Sequence, residues 1–168
     1  TLSLNSSSAI NAYVLGDVSV SYLNATSNKT IRIGSAASEG RLLSGQVQAN
    51  GGLVLNSTTD YTFSGALTAG SLTKLQNNTV TLTGANTSTG AITLSAGTLQ
   101  IGDGGNSGSI AGNTAVALGA NLVFNHNIDV SHAANISGNG TVTKLDNKVL
   151  TLTGVQTYLG ATAIGGLG

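Results

Sequence analysis

The chain has 168 residues, enough for one domain, of which 7 % are charged, with no net charge. Its four Lys and two Arg are scattered, which argues against nucleic acid and anionic membrane as partners, since both demand clustered cations. Hydrophobic residues at 40 % exclude a disordered chain, aromatics at 4 % leave no platform for stacking bases or sugars, and the absence of Cys excludes disulfides and thiol chemistry.

Alternation of apolar and polar residues runs through the chain and predicts short half-buried strands rich in Val, Ile, Leu and Thr. In chain order they are Thr1-Leu2-Ser3-Leu4, Asp17 to Tyr22, Thr30-Ile31-Arg32-Ile33 and Gly52-Leu53-Val54-Leu55. Thr79 to Thr83, Ala91 to Ser95, Thr98 to Ile101, Asn121 to Phe124 and Asn127 to Val130 follow. Turn-forming clusters separate them, such as Asn50-Gly51-Gly52, Gly102-Asp103-Gly104-Gly105-Asn106 and Ser137-Gly138-Asn139-Gly140, where glycine supplies positive φ. Ala36 to Leu43 is the one patch that fits a turn of helix. No run is long and apolar enough for a membrane-spanning helix. No leader and no initiating Met are visible, as expected of an internal or processed piece of a longer protein.

The stretch from Gly70 to Gly90 recurs without a gap from Gly140 to Gly160, with one constant offset throughout. Thr73-Lys74-Leu75, Asn77, Thr81-Leu82-Thr83-Gly84, Thr87 and Gly90 are identical in the two copies. Self-similarity of this kind marks a stacked-repeat rod. Strands of three to five residues with short turns predict coils of about 20 residues. The repeat is then expected to hold about three coils, and the chain seven or eight. The predicted fold is all-β, a right-handed parallel β-helix. One β-helical segment is expected over 1–168, with less regular coils over 1–64 and repeats over 65–168, the copies lying near 70–94 and 140–164. An antiparallel β-sandwich shares the strand pattern. The tandem register and the lack of Pro favour the solenoid.

Leu82-Thr83-Gly84-Ala85-Asn86-Thr87-Ser88-Thr89-Gly90, then Gly97-Thr98-Leu99-Gln100-Ile101-Gly102-Asp103-Gly104-Gly105 and Gly108-Ser109-Ile110, closely resemble the autotransporter passenger-associated β-strand repeat of bacterial type V secreted proteins. Leu152 to Ala161 matches its opening, and Leu122 to Asn125 followed by Ile136 to Gly140 is similar to the linking part of such arrays. The resemblance covers about Gly65 to Gly168. It implies a β-helical passenger carried to the cell surface by a C-terminal membrane barrel, and roles in display, adhesion and self-association. The Gly-Asp-Ser-Gly motif of the protease branch is absent from these residues.

The candidate chemical sites are few. His126 and His132 flank Asp129, but on a continuous strand Asp129 faces away from both, and the two His are about 20 Å apart. They are expected to face solvent or form a ladder. Gly102-Asp103-Gly104-Gly105-Asn106 is faintly similar to calcium-binding nonapeptides, which work by repetition; a single Gly-rich turn is the simpler expectation. Asp17, Asp60, Asp103 and Asp146 fall at equal intervals, with flanks too unlike for a common role. The only Glu is Glu39, so no acid/base pair of the kind a glycosidase needs is in view. Lys74 and Lys144 occupy equivalent repeat positions and are expected as exposed charges at coil corners. Tyr13, Tyr22, Tyr61, Tyr158, Phe63 and Phe124 are read as core or stacking residues. No catalytic, cofactor-binding or metal residue is assigned.

The functional expectation is a non-enzymatic, structural or adhesive module at the cell surface or outside a Gram-negative bacterium. Self-association through end strands or neighbouring repeats is expected. Gly168 followed by Thr1-Leu2-Ser3-Leu4 completes a Gly-Thr-Leu-x-aliphatic element, which suggests a periodic array or head-to-tail stacking. The alternatives are a receptor- or glycan-binding passenger segment, with Tyr13, Tyr22, Arg32, Glu39 and Arg41 carrying recognition, and a polysaccharide-processing β-helix enzyme. A host or cell-surface ligand fits the adhesive reading; nucleic acid and membrane insertion of this segment do not.

Overall fold

The computed structural model describes residues 2–3, 12–25, 28–37 and 39–165. Within them the chain is all strand and turn, with no helix. The first strands are β1 (Leu2–Ser3), β2 (Ala12–Val14), β3 (Val18–Ala25), β4 (Thr30–Ile33), β5 (Leu42–Ala49) and β6 (Gly52–Leu55). Next come β7 (Tyr61–Phe63), β8 (Leu67–Ala69), β9 (Leu72–Lys74), β10 (Thr79–Leu82), β11 (Ile92–Leu94) and β12 (Thr98–Ile101). The last are β13 (Thr114–Val116), β14 (Asn121–Phe124), β15 (Val130–His132), β16 (Ile136–Gly138), β17 (Thr141–Lys144), β18 (Leu150–Leu152) and β19 (Thr162–Ile164). Ala36 and Ala37 form a turn rather than helix. The Ala37 N–H donates to Ser35 Oγ at 3.2 Å, a local bond of the sort that draws Ser-rich segments away from helix.

Every strand pairing is parallel, between strands one coil apart. Strands therefore stack into three long sides. Face 1 carries β1, β3, β5 and β8; face 2 carries β2, β4, β6, β9, β11, β13 and β16; face 3 carries β7, β10, β12, β14, β17 and β19. The pair β15–β18 lies between face-3 and face-2 strands in chain order, as β8 does, and so belongs to face 1. Along face 2 the register steps from Leu72 to Ile92, Thr114, Ile136 and Gln156, one coil at each step. The result is a β-solenoid of about seven turns, the parallel β-helix class expected from the strand pattern.

The core is the inward column of each face. Leu53, Leu72, Ile92 and Ile136 stack on face 2, and Val80, Leu99, Leu122 and Val142 on face 3, all buried. Phe63, Leu82, Ile101 and Phe124 form a second column on face 3. Outward neighbours such as Thr62, Thr93 and Ala115 are exposed, as the period-2 pattern requires.

The sequence repeat does not coincide with a whole number of coils. Leu72 lies on face 2, whereas its counterpart Val142 lies on face 3. Val80 and Leu82 lie on face 3, and their counterparts Leu150 and Leu152 lie on face 1. Three coils from Leu72 end at Ile136, and the remaining residues carry the chain around one further corner. The repeat is three coils plus one face. It specifies a strand, a corner and a strand, and it fits any side, because each side offers the same parallel ladder and the same interior.

Corners bring backbone onto backbone. A Cβ on Gly65 would overlap the carbonyl oxygen of Gly45, and one on Gly90 would overlap that of Gly70. Glycine is used here for close approach. Elsewhere at the corners, side chains complete the ladder. Asp129 Oδ1 accepts the Val149 N–H at 2.9 Å, Asn113 Oδ1 the Asn135 N–H at 3.0 Å, and Asn135 Oδ1 the Val155 N–H at 2.8 Å. Each bond joins one coil to the next and satisfies a donor that no strand partner reaches.

Gly90→Ala is expected to lower stability by about 3 kcal/mol or to abolish folding, since backbone must move to admit a methyl. Gly16→Ala, where a Cβ would meet nothing within 4 Å, is expected to change the thermal midpoint little; equal midpoints for the two variants would contradict the stacked-corner account.

Candidate functional site: buried polar groups

Lys74 and Lys144 are not exposed corner charges. Both lie inside, at 1 % and 9 % exposure. Each follows an inward aliphatic position by two, so alternation turns its stem into the interior column. Lys74 stands between Leu55 and Leu94 on face 2, and Lys144 between Phe124 and Ile164 on face 3. The stems pack as hydrocarbon while the ammonium groups reach a corner. Lys74 Nζ donates to Gln76 O at 2.6 Å, Asn78 Oδ1 at 3.0 Å and Ala96 O at 3.1 Å. All three acceptors are neutral, so burial pushes the amine down to about 8, against a weaker upward pull from the Asp60 charge. Lys144 instead pairs with the Asp146 carboxylate and donates to Asp146 O at 3.1 Å. Burial pushes Asp146 up, but Lys144 and the N–H groups of Lys148 and His126 outweigh it and hold its pKa below the ordinary value.

The two histidines are also buried, each 3 % exposed, rather than facing solvent. β14 ends at Phe124 and β15 begins at Val130, so a corner intervenes and no continuous strand joins them. His126 Nε2 bonds Gly108 O at 2.9 Å, and its backbone N–H donates to Asp146 Oδ2 at 2.6 Å. The imidazole thereby holds the Gly-rich turn of one coil against the next. His132 stacks near Phe124, with ring centroids 5.3 Å apart and a buried Nε2 that lacks a partner. Burial pushes the His132 pKa down, against a bond to the Ile110 backbone.

The acids do not assemble a centre. Asp103 Oδ1 accepts the N–H of Gly105 at 3.1 Å, an ordinary turn bond. Asp60 Oδ1 accepts the Thr79 N–H at 2.7 Å. Asp17 takes both the backbone N–H and the guanidinium of Arg41, and that guanidinium holds its pKa low. Among the described residues, no three of His, Asp and Glu gather closely enough to hold a metal ion. Tyr61, Phe63 and Phe124 are core residues and Tyr158 packs against the core, while Tyr22 donates to Gln48 Oε1 at 2.5 Å. The Tyr13 side chain lies outside the described residues. Of the proposed recognition residues, Arg41 is tied to Asp17 at the N-terminal corner and Glu39 is exposed.

The final described coil is less enclosed than the coils before it. Leu150, Leu152 and Tyr158 are only half-buried and Ile164 is 64 % exposed. Their counterparts by position in the first repeat copy include Val80, Leu82 and Leu94, which are at most 1 % exposed. The difference is the covering strand: β12 lies on β10, and among the described residues no strand lies on the outer edge of β18 or β19. A cavity of about 230 Å³ opens there, lined by Val142, Lys144, Leu150, Leu152 and Ile164 among others. Val155 and Leu159 on the same coil point outward, and Leu159 is 83 % exposed.

Over 56 residues, 33 % of its length, the chain is 54 % identical to the adhesin BmaC autotransporter of Brucella suis biovar 1 (strain 1330). The chain fits an autotransporter passenger β-helix. The matched part of the passenger is only 2 % of that relative's length. No family model matches the chain, and no solved structure matches it. The adhesin likeness and the solenoid together support an adhesive or structural passenger, and the relative's name points away from an enzyme. No helix among the described residues is long and apolar enough to cross a membrane.

The Lys74 site has a pH signature. Its folded pKa of about 8 lies below the 10.5 of the free side chain, so the unfolded chain holds the proton more tightly. Stability is lowest below pH 8 and rises as pH increases from about 8 toward 10.5. A thermal midpoint that climbs between pH 8 and 10, and a Lys74→Met variant that loses that slope, are the expected results of melting curves across the range.

Proposed function

We propose that this passenger segment is a non-enzymatic adhesive rod at the surface of a Gram-negative bacterium, and that such rods associate end to end through their parallel ladders. The observation that carries the reading is the parallel β-solenoid of about seven turns, taken with the likeness to an autotransporter adhesin. Parallel strand addition supplies backbone bonds along the free edge and closes apolar side chains from water. The neutral net charge opposes such addition little. Contact that repeats without closing produces filaments rather than rings.

A glycan-binding segment is the second reading. It is favoured by a shallow groove of about 320 Å³ on face 3, lined by Asp60, Tyr61, Thr62, Thr79 and Thr81. Hydroxyls and one carboxylate in a groove suit sugar hydroxyls.

Negative-stain microscopy and sedimentation of the purified chain over a dilution series test the rod reading. Fibres that lengthen with concentration, with a subunit repeat on the order of 35–40 Å at strand spacing, are expected. Leu152→Lys, which puts a charge into the interior of the final described coil, is expected to leave short particles at every concentration. Discrete short particles from the unaltered chain would remove end-to-end growth. Retention on a glycan array that Thr81→Val abolishes would move the function to the groove.

A further inference from the structure

We propose that Lys74 and Asn78 form a covalent joint inside the coil stack: the Lys74 amine displaces ammonia from the Asn78 carboxamide, leaving an isopeptide bond across the corner between β9 and β10. The joint is internal to one chain and does not depend on any association between rods.

The first support is geometry. β9 ends at Lys74 and β10 begins at Thr79, so the corner between face 2 and face 3 brings the two side chains together. Nζ lies 3.0 Å from Asn78 Oδ1, which sets the amine beside the carboxamide. The carboxamide is held in place, because its Nδ2 donates to Thr59 O of the preceding coil at 2.6 Å. Two reacting groups fixed in this way need no encounter step, and much of the barrier is removed in advance.

The second is enclosure. Lys74 is 1 % exposed and Asn78 6 %, so reagents from solvent do not compete for the amine. All three of its acceptors are uncharged, and burial favours the neutral amine, which is the nucleophilic form. Gln76 O and Ala96 O belong to backbone amides, where displacement would cut the chain and leave both ends in place to rejoin. Asn78 alone among the three offers a small leaving group that can diffuse away. The second repeat copy supplies a contrast. Lys144 holds the repeat position of Lys74, but Lys148 stands where Asn78 stands in the first copy. The Lys144 ammonium pairs with the Asp146 carboxylate, an anion that keeps the amine protonated and is a poor electrophile.

The step balances without an outside reagent. Nζ first gives up the proton that makes it ammonium. Its lone pair then forms the bond to Asn78 Cγ, and Oδ1 takes up the negative charge. The carbonyl re-forms as the Cγ–Nδ2 bond breaks. Nδ2 takes one further proton from Nζ and leaves as ammonia, and the proton shed at the start leaves with it as ammonium. Nothing is oxidised or reduced. The amide N–H that remains on Nζ still has the carbonyls of Gln76 and Ala96 within reach, so the link to the following coil through Ala96 is kept. The pH-dependent melting of the Lys74 site belongs to the unlinked chain; the linked chain has no ammonium at this corner and loses that slope.

Mass spectrometry of the intact folded chain reads the bond directly. The chain is held at pH 9, above the Lys74 pKa of about 8, and sampled over days. The expected mass is that of the sequence less one ammonia. Fragment spectra are expected to place the loss between Lys74 and Asn78, with the pieces of that segment still joined. Lys74→Met and Asn78→Asp are expected to keep the full mass of their sequences, and Lys144→Met to show the loss, with a melting curve checking the fold of each. Succinimide formation at Asn50-Gly51 or Asn139-Gly140 also releases ammonia, but it hydrolyses at pH 9 and survives Lys74→Met. The full sequence mass in the folded unaltered chain would overturn the joint. So would a loss that persists in Lys74→Met, or one that fragment spectra place outside residues 74–78.

Discussion

The structure depends on one constraint: each coil must lie on the next at strand spacing along its whole path, corners included. On the flat sides the parallel ladder meets this without help from particular residues. At the corners it does not, because the backbone turns away from its hydrogen-bond partners and approaches its neighbour closely. Glycine solves the approach, as at Gly65 and Gly90, where a methyl would overlap a carbonyl of the coil below. Asp, Asn and Ser solve the bonding, as when Ser88 Oγ accepts the Ala69 N–H at 2.6 Å. The unusual composition, rich in Gly and small polar residues and poor in charge, follows from that division of labour.

The same constraint explains why polar groups end up inside. Once a coil path is set by its neighbours, every second residue of a strand faces the interior whatever its chemistry. Lys74 and Lys144 occupy such positions. Their long stems substitute for leucine, and their ammonium groups must find acceptors at the corner. Lys144 finds a carboxylate, Lys74 only carbonyl and amide oxygens. His126 and His132 are enclosed in the same way, one tying the Gly-rich turn to the following coil and the other packed near Phe124. These groups are structural joints between coils, and the chemistry they resemble in isolation has no second partner to work with.

Three equivalent sides also free the sequence repeat from the coil. A motif that encodes a strand, a glycine corner and a strand can begin on any side, so the second copy from Gly140 to Gly160 is accommodated although it starts one face late. The consequence is that the outward residues of the two copies point in different directions around the rod. For an adhesive passenger this distributes similar surfaces around the axis instead of along one stripe.

The sequence by itself determined the fold class, the approximate coil length and the short strands, because alternation, glycine corners and an internal repeat are local signals that survive without knowledge of partners. The interior residues Leu82, Leu94, Leu99, Ile101 and Leu122 were legible from alternation alone, while the likeness to a secreted passenger rested on resemblance of the motif from Leu82 to Ile110. What only the tertiary structure decided was phase: which side each strand joins, and therefore which lysine and histidine are enclosed. Lys74 reads as a surface charge from its polarity and as a core residue from its register, and register won because the neighbouring coils had already set the strand's facing. A mean period does not reveal that individual coils differ in length, as the step from Ile31 to Leu53 exceeds that from Leu53 to Leu72. A small drift at each coil is enough to move a repeat from one face to the next.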